Sequence, residues 1–111
     1  MMKIKITVKI ESEANCREHW RKKAARVKYH RKLASVLTAS AMIDSEKLTS
    51  PIVIKFVRVG KRRLDDDNLA SGFKAVRDGV CDALGIDDGS EDLRFHYAQA
   101  IGDYSAIVCI S

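Results

Sequence analysis

The chain lacks most of the features that would place it in a membrane or outside the cell. No apolar run approaches the roughly 18 residues that cross a bilayer, so no membrane span is expected. Its start, Met1-Met2-Lys3-Ile4-Lys5, alternates apolar and basic residues and has no apolar block of the kind a secretory leader carries. Cysteine occurs only at Cys16, Cys81 and Cys109, an odd number with no CxxC pair. That argues against a disulfide framework and a zinc site, and it fits a reducing cytoplasm. There is neither proline nor glycine between Cys16 and Ile43, and no internal repeat, linker or low-complexity segment. What remains is 111 residues with 46% apolar content, enough for a single domain around one core.

Charge is split along the chain. Residues 1–63 hold 17 Lys/Arg against 5 Asp/Glu, whereas residues 64–111 hold 3 against 10. A uniformly basic chain would suit simple phosphate binding. An acidic centre in a basic frame is the pattern expected where one region grips phosphates and another holds a metal.

Ile4, Ile6, Val8 and Ile10 alternate with Lys3, Lys5, Thr7 and Lys9, which predicts a half-buried strand over 3–10. Asn15 and Glu18 have capping-box spacing, and the uninterrupted stretch from Cys16 to about Ile43 predicts one long helix. At 100° per residue, Trp20, Val27, Ala34, Leu37 and Ala41 share a side assigned to the core. Arg17, Arg21, Lys28, Arg31 and Lys32 fall within an arc of about 100° beside it, a candidate phosphate-contacting stripe. After Pro51, the β-branched run Ile-Val-Ile-Lys-Phe-Val-Arg-Val predicts a buried strand. A second helix is expected from a cap at Asp67 or Asn68, with Leu69, Phe73, Val76, Val80 and Leu84 as its apolar stripe and Gly85 as its stop. Leu93, Phe95 and Tyr97 mark a third strand, and residues 104–110 a fourth after a Gly102-Asp103 turn. The order β-α-β-α-β-β predicts an α/β fold of the α+β type, with two helices covering a small mixed sheet.

The chemistry concentrates in Arg62-Arg63-Leu64-Asp65-Asp66-Asp67-Asn68. Three unpaired carboxylates within about 10 Å repel by several kcal/mol at intermediate dielectric, so such a cluster tends to bind a cation. On an extended run Asp65 and Asp67 point to one side, as oxygen ligands suited to Mg²⁺ or Mn²⁺. Asp66 then points away, toward Arg62 or Arg63, and Asn68 caps the helix or steadies a carboxylate. Lys74 and Asp78, an i, i+4 pair, come back to the face of Asp67, and a lysine leaning toward the helix N-terminus reaches the carboxylates. An ordinary surface ion pair is the equal alternative. Asp87-Asp88 follow in a turn. A calcium loop is excluded because Leu69 occupies its third ligand position and no glycine follows. Lys61, Arg62 and Arg63 join the basic candidates for DNA phosphate.

In Asp65-x-Asp67-Asn68, Lys74-x-x-x-Asp78 and Asp87-Asp88, taken in that order, the chain resembles the RusA family of Holliday junction resolvases. The likeness is strongest from Arg62 to Asp88 and extends loosely to His19-Trp20-Arg21 and the basic helix. The interval from Asn68 to Lys74 is six residues where the best-known members have three, with Ala70-Ser71-Gly72 reading as an insertion. The resemblance implies a homodimeric, Mg²⁺-dependent endonuclease that hydrolyses phosphodiesters at four-way DNA junctions. It implies Asp65, Asp67 and Asp88 as metal-binding catalytic residues, Lys74 as the stabiliser of the transition state, and supporting places for Asn68, Asp78 and Asp87. Two other classes stay open from the residues: a non-catalytic DNA-binding module, and a metal-dependent phosphohydrolase of small nucleotides.

Overall fold

The alternation of isoleucine and lysine at the start of the chain forms β1 (Met2–Ile6), the first of four strands in one mixed sheet. The computed structural model describes residues 2–12, 19–45 and 47–111. After β1 come α1 (Trp20–Ile43), β2 (Ile52–Gly60), α2 (Asp66–Gly72), α3 (Lys74–Leu84), β3 (Leu93–Ile101) and β4 (Ser105–Ile110). Across the sheet the order is β1-β4-β2-β3, antiparallel except for the parallel pair β2 and β3. A parallel pair needs a crossover, and α2 with α3 supplies it. This is the α+β architecture expected, with one domain and a helix-covered mixed sheet.

The pleat separates two faces. Ile4, Val108, Phe56 and Tyr97 form one inward row across all four strands, and Ile6, Ala106, Arg58 and Gln99 form the next. Between these rows, Lys5, Ile107, Val57 and Ala98 face the other way. The inward rows meet the second-helix stripe: Leu69, Phe73, Val76 and Val80 are buried, and the Phe56 and Phe73 rings lie 5.3 Å apart. Burying each such side chain stabilises the fold by about 1.5–3 kcal/mol. Helices α1 and α3 run side by side in the same sense. Gly79 and Ala34 meet at the closest approach, where a Cβ on Gly79 would stand 2.2 Å from the Arg31 carbonyl oxygen.

Several expectations change. Burial keeps alternating to Ile10, but the ladder of β1 stops at Ile6 because its partner β4 begins at Ser105. Asn15, Cys16, Arg17 and Glu18 lie outside the described residues. The described helix is capped instead by His19, whose Nδ1 accepts the Arg21 N–H at 3.2 Å. Trp20, expected in the core, is 67% exposed. It stands one turn before Lys23, where α1 first comes beside the start of α3, and among the described residues its ring meets only its chain neighbours His19 and Arg21. The expected second helix is two helices, α2 and α3, jointed at Phe73. It starts earlier than Asp67, with Asp65 at the N-cap position and Asp66 and Asp67 in the first turn, where their charge complements the helix dipole. Gly85 does close α3 in the left-handed conformation, at φ 69°. The Gly102 bend does not make a hairpin. It carries the chain across the end of β2, with the Gly102 N–H donating to the Gly60 carbonyl at 3.0 Å.

Candidate metal and nucleic-acid site

Two polar side chains set the stage at the end of the sheet where β2 leaves it. Arg58 and Gln99 stand side by side in the inward row, in positions an apolar residue would fill by pattern. Arg58 is buried. Its Nε donates to the Ile10 carbonyl at 2.9 Å and its Nη1 to the Arg62 carbonyl. Gln99 grips the Leu64 peptide from both sides, its Oε1 accepting the Leu64 N–H at 2.9 Å and its Nε2 donating to the Leu64 carbonyl at 2.8 Å. The amide thus acts as one rung of a strand and holds the segment that leads into Asp65. Neither residue stands among the candidates that spacing and charge single out. A signal for them exists in the sequence: inward parity in a strand combined with a polar side chain that must find partners.

The Gln99 grip carries a prediction. Gln99→Met keeps the volume and removes both hydrogen bonds, leaving a half-buried peptide without partners. A loss of about 2 kcal/mol is expected, with faster amide exchange at Leu64 than at strand residues such as Val108. Unchanged exchange at Leu64 would show that the amide does not hold the loop.

Asp65, Asp66 and Asp67 are exposed and form no ion pair with any described residue. Asp66 does not turn to Arg62 or Arg63, which are also exposed, because the helix begins at Asp66 and strand alternation no longer sets the directions. Asn68 is no cap; its carbonyl accepts the Ser71 hydroxyl at 3.3 Å. The other acids of the region are engaged. Lys74 Nζ lies 3.2 Å from Asp78 Oδ2, the ordinary i, i+4 pair. Arg31 makes a forked pair with Asp82, at 2.7 and 3.0 Å, and reaches Asp78 at 4.0 Å. That hydrogen bond holds the Asp82 carboxyl below its ordinary range and raises the guanidinium. Asp88 Oδ2 lies 3.6 Å from Arg77, whose Nη1 also donates to the Tyr97 hydroxyl at 3.1 Å. Asp87 accepts the Gly89 N–H at 3.1 Å, which lowers its pKa, and lies with Asp88 along a small cleft of about 160 Å³ that Arg31, Asp78, Cys81 and Asp82 also line.

Asp88 is therefore not gathered with Asp65 and Asp67. Among the described residues no three His, Cys, Asp or Glu side chains converge as a shared ion would require. The carboxylates at the β2–α2 joint suit a hard cation held by one or two oxygens with water completing its shell. Asp88 would have to leave Arg77 to join them. Of the basic candidates, Arg21, Lys28 and Lys32 are exposed without an ion pair among the described residues, Arg31 is taken by Asp82, and Lys61 by Asp103 at 2.8 Å. Sequence reading missed both Arg31 and Arg77 as partners of acids, since each contact joins elements far apart in the chain or hidden by the helix joint.

Cys81, beside Asp88, is buried, and burial first, then the Asp88 charge, pushes its thiol up to about 11 against the opposing pull of Arg77. Because the folded value exceeds the ordinary thiol value, the protonated thiol's contribution to stability is complete below the unfolded pKa and lost as pH rises toward 11. Alkylation of the folded protein at about pH 8 should label the half-buried Cys109 and spare Cys81. Equal labelling of the two would contradict this placement.

No protein-family model matches the chain. It is 38% identical over 80 residues to a protein of Xylella fastidiosa that bears only the description uncharacterized. The similarity covers 67% of this chain and 51% of that protein, so the chain spans about half the length of the curated relative it matches. No helix among the described residues is long and apolar enough to cross a membrane.

Proposed function

We infer that the protein is a Mg²⁺-dependent endonuclease acting on branched DNA, four-way junctions in particular, in the cytoplasm and as a homodimer. The observation that carries the reading is the contrast in pairing. Asp65, Asp66 and Asp67 stand exposed as three adjacent acids with no cation among the described residues, while Asp78, Asp82, Asp88 and Asp103 each have one. The other acids without one, such as Asp87, are not clustered in threes. The basic half of α1 and the order Asp65-x-Asp67-Asn68, Lys74, Asp78, Asp87-Asp88 support it, as the motif resemblance implies.

In this reading Asp65 and Asp67 hold the ion, and Mn²⁺ can replace Mg²⁺. Bound there, the ion supplies charge neutralisation at a phosphate and an activated water. Gln99 and Arg58 hold the segment from which Asp65 emerges. Lys74, the first residue of α3 beyond the joint at Phe73, offers an ammonium to the non-bridging oxygens while keeping Asp78 as its fixed partner. Exposed Arg21, Lys28, Lys32, Arg62 and Arg63 bind the backbone of the arms. Symmetric cutting of a junction needs two such sites, which is the ground for a dimer.

Asp88 held by Arg77 favours a second reading, a module that binds DNA without cutting it. The test is a synthetic four-way junction incubated with the protein in Mg²⁺ and in chelator, beside a linear duplex and mononucleotide phosphates. Paired nicks in the junction that require Mg²⁺ are expected. Salt-sensitive binding without nicking would replace the nuclease with the module, and turnover of mononucleotides alone would replace both.

A further inference from the structure

Trp20 is the chain's single tryptophan and stands 67% exposed on the first turn of α1. Its ring has His19 at 5.6 Å and the Arg21 guanidinium at 5.1 Å. Successive α1 residues turn by 100°, which places Trp20, Lys23 and Val27 within about 60° of one face. Lys23 and Val27 form one wall of a cleft of about 340 Å³, and Ser71, Lys74, Ala75 and Asp78, at the joint of α2 and α3, form the other. Trp20 therefore stands one turn before Lys23 on the same side of α1, next to the cleft's lining and not part of it.

The composition of the cleft selects its occupant. Val27, Ala75 and the lysine stems offer a carbon surface for a flat ring, and the lining includes two cationic side chains, Lys23 and Lys74, the latter paired with Asp78 at 3.2 Å. The one carboxylate among these lining residues, Asp78, is already engaged by Lys74 and Arg31. Residues 19–32 carry seven Lys/Arg and no acid, and of these Arg31 is held by Asp82, so this half of α1 as a whole, more than the cleft wall itself, draws a polyanion. The volume lies in the range that holds one small group, one nucleotide and not a stacked pair within a duplex. An indole flanked by guanidinium and imidazole is the surface on which unpaired bases stack.

We propose that this cleft takes a single unpaired nucleotide of a DNA strand, its base stacked on Trp20 and its phosphate between Lys23 and Lys74. The proposal rests on the DNA reading above and sharpens it: the preferred substrate presents unpaired bases beside the branch, rather than four fully paired arms.

Since Trp20 is the sole tryptophan, its emission reports the site directly. In chelator, where no cutting intervenes, a short oligo(dT) should quench that emission strongly, and a blunt hairpin duplex of equal charge should not. Trp20→Ala should weaken oligo(dT) binding, read by anisotropy, on the order of tenfold while changing duplex binding little. Trp20→Phe should keep most of the affinity. Both variants should melt like the parent, because the ring is exposed. Ser71→Phe, which fills the cleft from the far wall, should weaken oligo(dT) binding while leaving Trp20 in place. Equal quenching by duplex and single strand, binding of oligo(dT) without quenching, an equal loss on both ligands, or no DNA binding would each overturn the proposal. A protein that quenches with oligo(dT) but never nicks a junction retains this site and loses the nuclease reading; one that nicks without quenching does the reverse.

Discussion

Asp67→Asn is expected to lower Mg²⁺-dependent junction cleavage by on the order of a thousandfold, since the charge it removes is asked to supply several kcal/mol at the reacting phosphate. The fold should not suffer. Asp67 is exposed in the first turn of α2 and forms no ion pair with a described residue, and the amide keeps its shape. Losing one of three adjacent charges also relieves repulsion. The helix dipole acts in the other direction, by a few tenths of a kcal/mol. Asp66→Asn is the necessary companion. All three acids sit at the N-terminus of a short helix, where negative charge is favourable whatever the protein does, so a purely local role would make the variants equivalent. The nuclease reading predicts that Asp66→Asn cuts nearly as the parent does. If the two variants cut alike, the division of the cluster into ligands and bystander fails.

Gly79→Ala should be among the most damaging small substitutions in the chain. Within a helix the added methyl would ordinarily stabilise by about 1 kcal/mol. Here it would meet the Arg31 carbonyl oxygen at 2.2 Å and the Ala34 methyl at 2.9 Å, both part of α1 and unable to move alone. Forcing the helices apart should cost about 3 kcal/mol net, a fall in Tm on the order of 15 °C for a domain of this size, read by thermal unfolding. The same shift would open the Arg31–Asp82 pair and the cleft beside Trp20, so stability and nucleic-acid binding should fall together. A parent-like Tm would mean that α1 and α3 are not packed at this distance.

The elements themselves were legible because periodicity is local. Alternation marked Ile4 to Ile10 and Leu93 to Tyr97, and the stripe from Leu69 to Val80 is buried as its spacing requires. Two kinds of information were not local. One was the extent of neighbours. Trp20 lies on the side of α1 assigned to the core, yet α3 begins too late along α1 to cover it, and no helical wheel contains that length. The other was pairing across the chain. Arg31 with Asp82, Arg77 with Asp88, and Gln99 with the Leu64 peptide join residues whose meeting depends on strand order and on the joint at Phe73. Arg58 and Gln99 were the recoverable omission, since a polar residue at inward parity is visible in the sequence. The acidic motif was visible too, but its spacing carried no sign that Asp88 would be held apart by an arginine.

The central physical claim is that the carboxylates at the start of α2, which form no ion pair with a described residue, take a divalent cation. Thermal unfolding in millimolar Mg²⁺, against K⁺ of matched ionic strength, tests it without any substrate. Binding to the folded state at ten times Kd adds about 1.4 kcal/mol, a rise in Tm of roughly 5–10 °C. That rise should appear in the parent and vanish in the Asp65→Asn/Asp67→Asn double variant. A parent whose Tm does not respond to Mg²⁺, or a double variant that responds equally, would contradict the account.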